Sequence, residues 1–355
     1  MEAYIRGIGN ISPQNSWDNA DFPGETVLYD NNRLKCIEPD YKEFIKPIQM
    51  RRMSRTLKMG VAAAGKCLRD AKVEMPDAII VGTGLGMMQD TEKFLTAIID
   101  NDEKFLTPTS FIQSTHNTVG AHIAVMLKCN KYNLTYVHDS ISFEEALLDS
   151  LIRIKEDHSE KILLAGIDEL TDDYFTIANN VGFWKKDING NTDLLNHNSS
   201  GSIAGEGASF FIVSGEEQPD NYARFAGVDI FYKPTSDDET ENFIREFINS
   251  RGLELQDIDL VITGMNGDMV GDNVYKRMQK RLFDKTPTAY YKHLCGEYYT
   301  SSAFAAWLGV MILKTQRYPD DIFINDHKPS GPVNNILIYN QNNNTNHALT
   351  LLSAC

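Results

Sequence analysis

The stretch YNLTYVHDSISFEEALLDSL, residues 132–151, sets the reading of this chain. Tyr132 to Val137 is a strand-like run. His138, Asp139 and Ser140 make a sharp polar step. A helical run follows, with Phe143, Ala146, Leu147 and, further on, Ile154 at helical spacing. A strand-to-helix elbow with a small polar residue at its tip is where many enzymes hold a nucleophile. Ser140 at that tip admits three readings. It is a nucleophile, or it fills a place that a nucleophile has vacated, or it caps the helix beginning there. His138 and Asp139 beside it suggest a Ser-His-Asp triad. Sequence neighbours at an elbow point in different directions, however, and triads are assembled from distant segments. Glu144 and Glu145 suit a helix start, where the dipole favours acids.

Upstream, RRMSRTLKMGVAAAGKCLRDAK (51–72) sets Met53, Leu57, Val61, Ala64 and Leu68 on one face of an amphipathic helix. DAIIVGTGLG (77–86) is an apolar strand ending in glycines. Gly82, Gly84 and Gly86 spell G-x-G-x-G rather than the dinucleotide-binding G-x-G-x-x-G. The other reading is a tight turn where the strand passes close to another backbone. FIQSTHNTVGAHIAVML (111–127) reads as one buried helix with Asn117 and Thr118 inside it. Downstream, EKILLAGIDEL is a strand and glycine turn, residues 186–202 are a polar loop, and IAGEGASFFIVSGEE is a turn and strand.

A boundary falls near GEEQPDN (215–221), and after it the pattern recurs. ARFAGVDIFY is a strand and residues 238–251 a helix. DIDLVITGMNGD is a strand ending in a glycine turn, and VYKRMQKRLF a helix. TAYYKHLCGEYYTSSAFAAWLGVMILK is strand, turn and long apolar helix, like the 132–156 unit. The tail NNILIYNQNNNTNHALTLLSA reads as a β-hairpin. Two similar halves, 1–215 and 216–355, predict an α/β protein with two mixed sheets and helices around and between them.

The totals narrow the function. With 42% hydrophobic and 23% charged residues the 355-residue chain has the profile of a soluble globular protein. It contains no run of about 18 apolar residues, so no membrane span is expected. MEAYIRGIGNISPQ lacks a long apolar segment, so a cytoplasmic protein without a secretory leader is expected. A net charge of −15 argues against binding phosphate backbones, so nucleic acid is an unlikely partner. Cysteines 36, 67, 129, 295 and 355 form no C-x-x-C pair, which favours reduced, mostly buried thiols over disulfides. There is no H-E-x-x-H, and His116 and His122 lie six apart, off a common helix face. No metal and no cofactor are expected.

Taken in order, these segments resemble the β-ketoacyl synthase branch of the thiolase superfamily. RMSRTLKMGVAAAGKCLRDA resembles its early helix, VGTGLG its first glycine turn and FIQSTHNTVGAHIA its dimer-face helix. GEGASFFIVSGE resembles its G-E-G-A strand, here Gly205 to Ala208. DLVITGMNGD and YYKHLCGEYYTSSA occupy the places of its two histidine motifs. The resemblance spans nearly the whole chain and implies a layered αβαβα fold of two similar halves.

At the reactive positions the sequence departs from the family's pattern. The elbow cysteine's place falls on Ser140. The first catalytic histidine, in an H-G-T-G-T run, is replaced by Gly264 in Gly264-Met265-Asn266-Gly267-Asp268. In the K-S-x-x-G-H run Lys292 keeps the lysine place and Glu297 takes the histidine's. The late G-F-G-G-T-N loop has become Asn342-Asn343-Asn344-Thr345-Asn346. Condensation uses a thiolate, which forms readily because a thiol titrates near pH 8.5. A serine hydroxyl needs a neighbouring base. Losing one oxyanion donor alone costs about 3 to 4 kcal/mol. Ser140, Gly264, Lys292 and Glu297 are therefore expected to be degenerate site positions, with no catalytic residue. Lys292 and Glu297 are expected to form an internal ion pair; the other reading makes Glu297 a proton donor with a raised pKa.

The pattern is similar to chain-length factors, ketosynthase-like subunits without the reactive triad. The run GEYYTSSAFAAWLG looks like the subset in bacterial aryl-polyene and flexirubin-type pathways. The resemblance implies a heterodimer whose catalytic ketosynthase partner holds the cysteine, with this subunit shaping the acyl tunnel in decarboxylative condensation. It places Phe111, Thr115, His116 and Asn117, and the strand residues Thr135, Tyr136 and Val137, at the subunit interface or tunnel, with Tyr136 a candidate for its end. The bland reading of 111–127 is ordinary core. Acyl carrier proteins are acidic, so an acidic subunit is expected to meet one through its partner. Two rivals stand: a serine acyltransferase or malonyl decarboxylase using Ser140, and a homodimeric scaffold without chemistry.

Overall fold

A computed structural model describes residues 2–355. The first half runs β1 (Ala3–Ile11), α1 (Pro47–Met50), α2 (Arg55–Asp70), β2 (Ala78–Gly82), α3 (Met88–Asp100), α4 (Pro108–Gln113), α5 (Thr118–Leu127), β3 (Tyr132–Tyr136), α6 (Ser142–Glu156), β4 (Lys161–Asp168), α7 (Asp172–Asn180) and β5 (Gly207–Ser214). The second runs β6 (Ala223–Tyr232), α8 (Asp237–Asn249), β7 (Leu260–Thr263), α9 (Asn273–Leu282), β8 (Thr288–Tyr290), α10 (Lys292–Cys295), α11 (Ser301–Thr315), β9 (Asn335–Asn342) and β10 (Asn346–Ser353).

Strand order is β3-β2-β4-β5-β1-β6-β10-β9-β7-β8. The first five strands thus lie 3-2-4-5-1, and the second five, read from the opposite edge, repeat that order shifted by five. In each set the pairs around β2 and β7 are parallel and the others antiparallel. The sequence predicts two separate sheets. Instead the two five-stranded units are joined edge to edge through β1 and β6, by Ala3↔Phe225, Tyr4↔Arg224 and Ile5↔Ala223. Edge strands present unpaired N–H and C=O groups, and this short contact satisfies them.

Layering follows from which side chains each strand turns inward. On β2, Ile79 and Val81 face α2 and α5, while Ala78 and Ile80 face α6 and α11, the two-residue period of a strand covered on both faces. α11 is buried from Ser301 to Leu313. A helix apolar all round belongs in the interior, and α11 sits with α6 between the two five-stranded units. α8 and α9 cover the second unit from outside, through Ile244, Phe247, Val274 and Met278. The order of layers is α, β, α, β, α.

Three readings need correction. Residues 111–127 are two helices, α4 and α5, rather than one. The break coincides with the Thr115 hydroxyl, which bonds Asn117 Oδ1 at 2.8 Å and Thr118 Oγ1 at 3.0 Å. Such side chains offer local hydrogen bonds that compete with a continuous helix. Nor is the segment all buried: Phe111, Ile112 and Val125 are 57%, 65% and 75% exposed. The strand at the elbow ends at Tyr136, one residue before Val137. The tail hairpin forms as expected, turning through Asn343 and Asn344 at positive φ, a conformation asparagine tolerates. Cysteines 36, 67, 129 and 295 are buried free thiols, and Cys355 is exposed.

Candidate functional site

β3 delivers the chain to the elbow, and Asp139 turns it at φ +47. The Ser142 hydroxyl braces this turn, accepting from His138 N and donating to Asp139 O, both at 2.8 Å. Ser140 therefore is not the cap: its Oγ is buried with no hydrogen-bond partner. His138 turns away, its Nδ1 2.7 Å from Glu145 Oε1, so the adjacent Ser-His-Asp does not assemble.

Ser140, Gly264, Lys292 and Glu297, from three segments far apart in sequence, line one cavity of about 310 Å³. At Gly264 the space for a side chain is already taken. A Cβ there would meet Asn340 Oδ1 at 2.5 Å and Tyr275 Oη at 2.6 Å. Asn340 Oδ1 accepts from Tyr291 Oη at 2.8 Å, which holds it in that space. Lys292 is buried and donates to Glu297 Oε1 at 2.6 Å and to the Ser301 hydroxyl. Asn266 Nδ2 donates to Glu297 Oε2 at 2.7 Å. The ion pair expected from the sequence is present, and Asn266 completes it. Among the described residues no cysteine and no histidine lines this cavity.

Two buried carboxyls flank it. Burial pushes Glu144 up to about 7, against the opposing pull of Ser302, Lys292 and Asn340. Glu169, on the cavity wall, is likewise pushed up to about 7 by burial. Asp168 ties the first glycine turn to α11. It accepts from Thr83 Oγ1, Gly84 N and Leu85 N at 2.9 Å, and from Thr300 N and Oγ1 at 3.0 and 2.8 Å. With Gly86 N bonded to Thr83, the amides of G-x-G-x-G are spent inside the protein. No phosphate cradle is left, and the tight-turn reading holds. In the G-E-G-A run Glu206 is fully buried and takes a two-pronged ion pair from Arg55, plus Cys36 N and Leu170 N. That carboxylate is an internal anchor.

The β-ketoacyl synthase N-terminal domain model matches residues 30–183. Solved structures match over the full length. The ishigamide ketosynthase/chain length factor is 18% identical, with TM-score 0.79, covering 100% of this chain and 99% of that one. A β-ketoacyl synthase from Burkholderia phymatum STM815 is 13% identical with TM-score 0.80 and the same coverage. This is the thiolase-like fold of the ketosynthases. A third ketosynthase-fold structure is AntDE:AntF, a type II PKS acyl-carrier protein in complex with its ketosynthase bound to the hexaketide. It is 14% identical with TM-score 0.76, and also covers 100% of this chain and 99% of that one. No curated protein matches in sequence.

On this ketosynthase fold Asn342, Asn343 and Asn346 of the late asparagine loop also line the cavity, whereas the residues expected at the interface lie outside it. Phe111, Thr115, His116 and Asn117 sit on α4 and the α4–α5 connection. Thr115, His116 and Asn117 are exposed, and His116 packs against the Gly86 turn. Thr135, Tyr136 and Val137 lie on or just past β3, the outermost strand of its unit. Val137 is 47% exposed, while Tyr136 packs partly against the central core. The cavity roles of Glu144, Asn340, Asn266 and Tyr291 escape the sequence reading. No helix among the described residues is long and apolar enough to cross a membrane.

Proposed function

We propose that this chain is the non-catalytic member of a ketosynthase pair, serving decarboxylative condensation of malonyl units on a carrier protein. The observation that carries the proposal is the cavity lining: Ser140 Oγ lacks any hydrogen-bond partner, and no cysteine or histidine lines the cavity with it. An unassisted serine is a weak nucleophile. The oxyanion and enolate of the condensation need donors, and Glu297 presents a carboxylate already engaged by Lys292 and Asn266. Ser140, Gly264, Lys292 and Glu297 are then degenerate positions of a vacated site.

Pairing rests on one exposed face. Phe111, Ile112, Val125, Leu134 and Val137 are 57%, 65%, 75%, 38% and 47% exposed, next to the free edge of β3. Large apolar side chains beside an open strand edge mark a protein interface. The interface residues are then Phe111, Thr115, His116, Asn117, Thr135, Tyr136 and Val137, with Tyr136 at the end of the acyl tunnel. The partner is a ketosynthase carrying the elbow cysteine, and the carrier protein docks on that partner. We assign the pair to polyene synthesis of the aryl-polyene or flexirubin type in the cytoplasm, with 1–215 and 216–355 as the duplicated halves.

The test is reconstitution with a candidate partner ketosynthase, carrier protein and malonyl units. Ser140→Ala is expected to leave product formation and product length unchanged. If this chain alone gains an acyl mass on Ser140, and Ser140→Ala abolishes turnover, the serine-enzyme reading replaces this one.

A further inference from the structure

We propose that a second cleft, remote from the Ser140 cavity, binds a small multivalent anion through phosphate or carboxylate groups. The cleft holds about 400 Å³ and lies where the C-terminal ends of α6 and α8 meet the sheet. Its lining carries Lys155, Arg224 and Arg251 against Glu2, with His158 alongside, and Asp229 behind the lining pairs with Arg251, which leaves one cation in excess. The lining of the Ser140 cavity carries Glu169, Asp268 and Glu297 against Lys292. In a chain of net charge −15 the two hollows therefore have opposite sign.

The cleft is shaped around its arginines. β6 bulges opposite β10: Leu351 pairs with Gly227 and Leu352 with Phe225, which leaves Ala226 unmatched on the floor. Bulges re-aim side chains. At Gly227 a Cβ would meet Arg251 Nε at 2.5 Å, so the missing side chain is the room the guanidinium occupies. Arg251 is held there over the Phe247 ring at 4.0 Å, with Nη1 donating to Asp229 Oδ2 and Phe247 O, each at 3.1 Å. Arg224 gives Nη1 to Glu2 at 2.6 Å, while its Nε is buried with no acceptor in the protein. That buried Nε is out of an anion's reach, but Nη2 makes no hydrogen bond among the described residues and the side chain is 35% exposed, so Nη2 is free for an anion in the cleft. Lys155 is exposed and makes no ion pair among the described residues. Guanidinium forks match carboxylate and phosphate geometry equally, so the chemistry is shared between the two.

The test is calorimetric titration of the full chain, at low salt, with pyrophosphate, citrate and acetate. Saturable one-to-one binding of pyrophosphate or citrate is expected, with acetate far weaker. Whichever of the two binds tighter identifies the phosphate or the carboxylate class. Arg224→Gln and Lys155→Gln should each weaken that binding about tenfold, with an unchanged thermal midpoint. Absence of saturable binding by both multivalent anions, or binding that survives the double variant, overturns the proposal.

Discussion

Glu144 is fully buried, with one carboxyl oxygen unmatched and a folded-state pKa of about 7 against an ordinary 4.5. Its sign is opposite to that of a salt-bridged acid. Between those two pH values the folded chain keeps the proton and the unfolded chain has lost it, so stability falls as pH rises. Across the window the cost approaches about 3 kcal/mol. Glu169, also near 7, adds to the same slope. Glu144→Gln is therefore expected to raise the thermal midpoint at pH 8 and leave it nearly unchanged at pH 4.5, read by unfolding scans across that range. Lys292 and Glu297 call for a cycle. Lys292→Met alone leaves a carboxylate with only Asn266 and should cost on the order of 3 kcal/mol, whereas the double Met variant should recover most of it. Chemical denaturation of the four proteins checks this. The Lys292–Glu297 pair was legible because both ends sit in one short motif. Glu144, Asn340 and Tyr291 were not, because contacts between α6, β9 and the β8–α10 junction have no trace in local spacing.

Elements with a strong period, such as α2, α8 and α9, were legible in the sequence, and so were the unbroken apolar run of α11 and the strands ending in glycine turns. β1 was missed because Gly7 and Gly9 interrupt its alternation. They lie against Ala71 and Ala63, where α2 presses on the strand. α3 and α7 each bury a single residue, and so lack an apolar face broad enough to read. At the end of β7, Gly264→His is expected to destabilise by about 1 to 3 kcal/mol through overpacking against Asn340 and Tyr275, without creating activity. Urea midpoints and a condensation assay test both parts. On the exposed face, Val125→Asp with Leu134→Lys should abolish association with the partner. Folded stability should shift by no more than about 0.5 kcal/mol, since both side chains reach solvent in the single chain. Sedimentation and thermal scans separate those two effects.

Over the whole molecule, duplication explains why so much of the fold could be read from one sequence. Each half repeats strand, glycine turn and helix, and the strand order repeats with it. The joining of the two units through β1 and β6 was illegible, because three residue pairs carry it and no pattern announces them. The central helices α6 and α11 take their place from being apolar where both units meet. The elbow at the start of α6 opens toward a cavity without imidazole or thiol, while the free edge of β3 remains open beside apolar side chains. On the proposed reading, the vacated site and the exposed apolar face are met by a second chain. The most direct measurement is capture of the tagged chain from its native host, with the complex weighed intact and its members identified by mass. The account predicts a one-to-one assembly with a ketosynthase that carries the elbow cysteine and both histidines. Recovery of a homodimer alone, with an acyl group on Ser140, would contradict it.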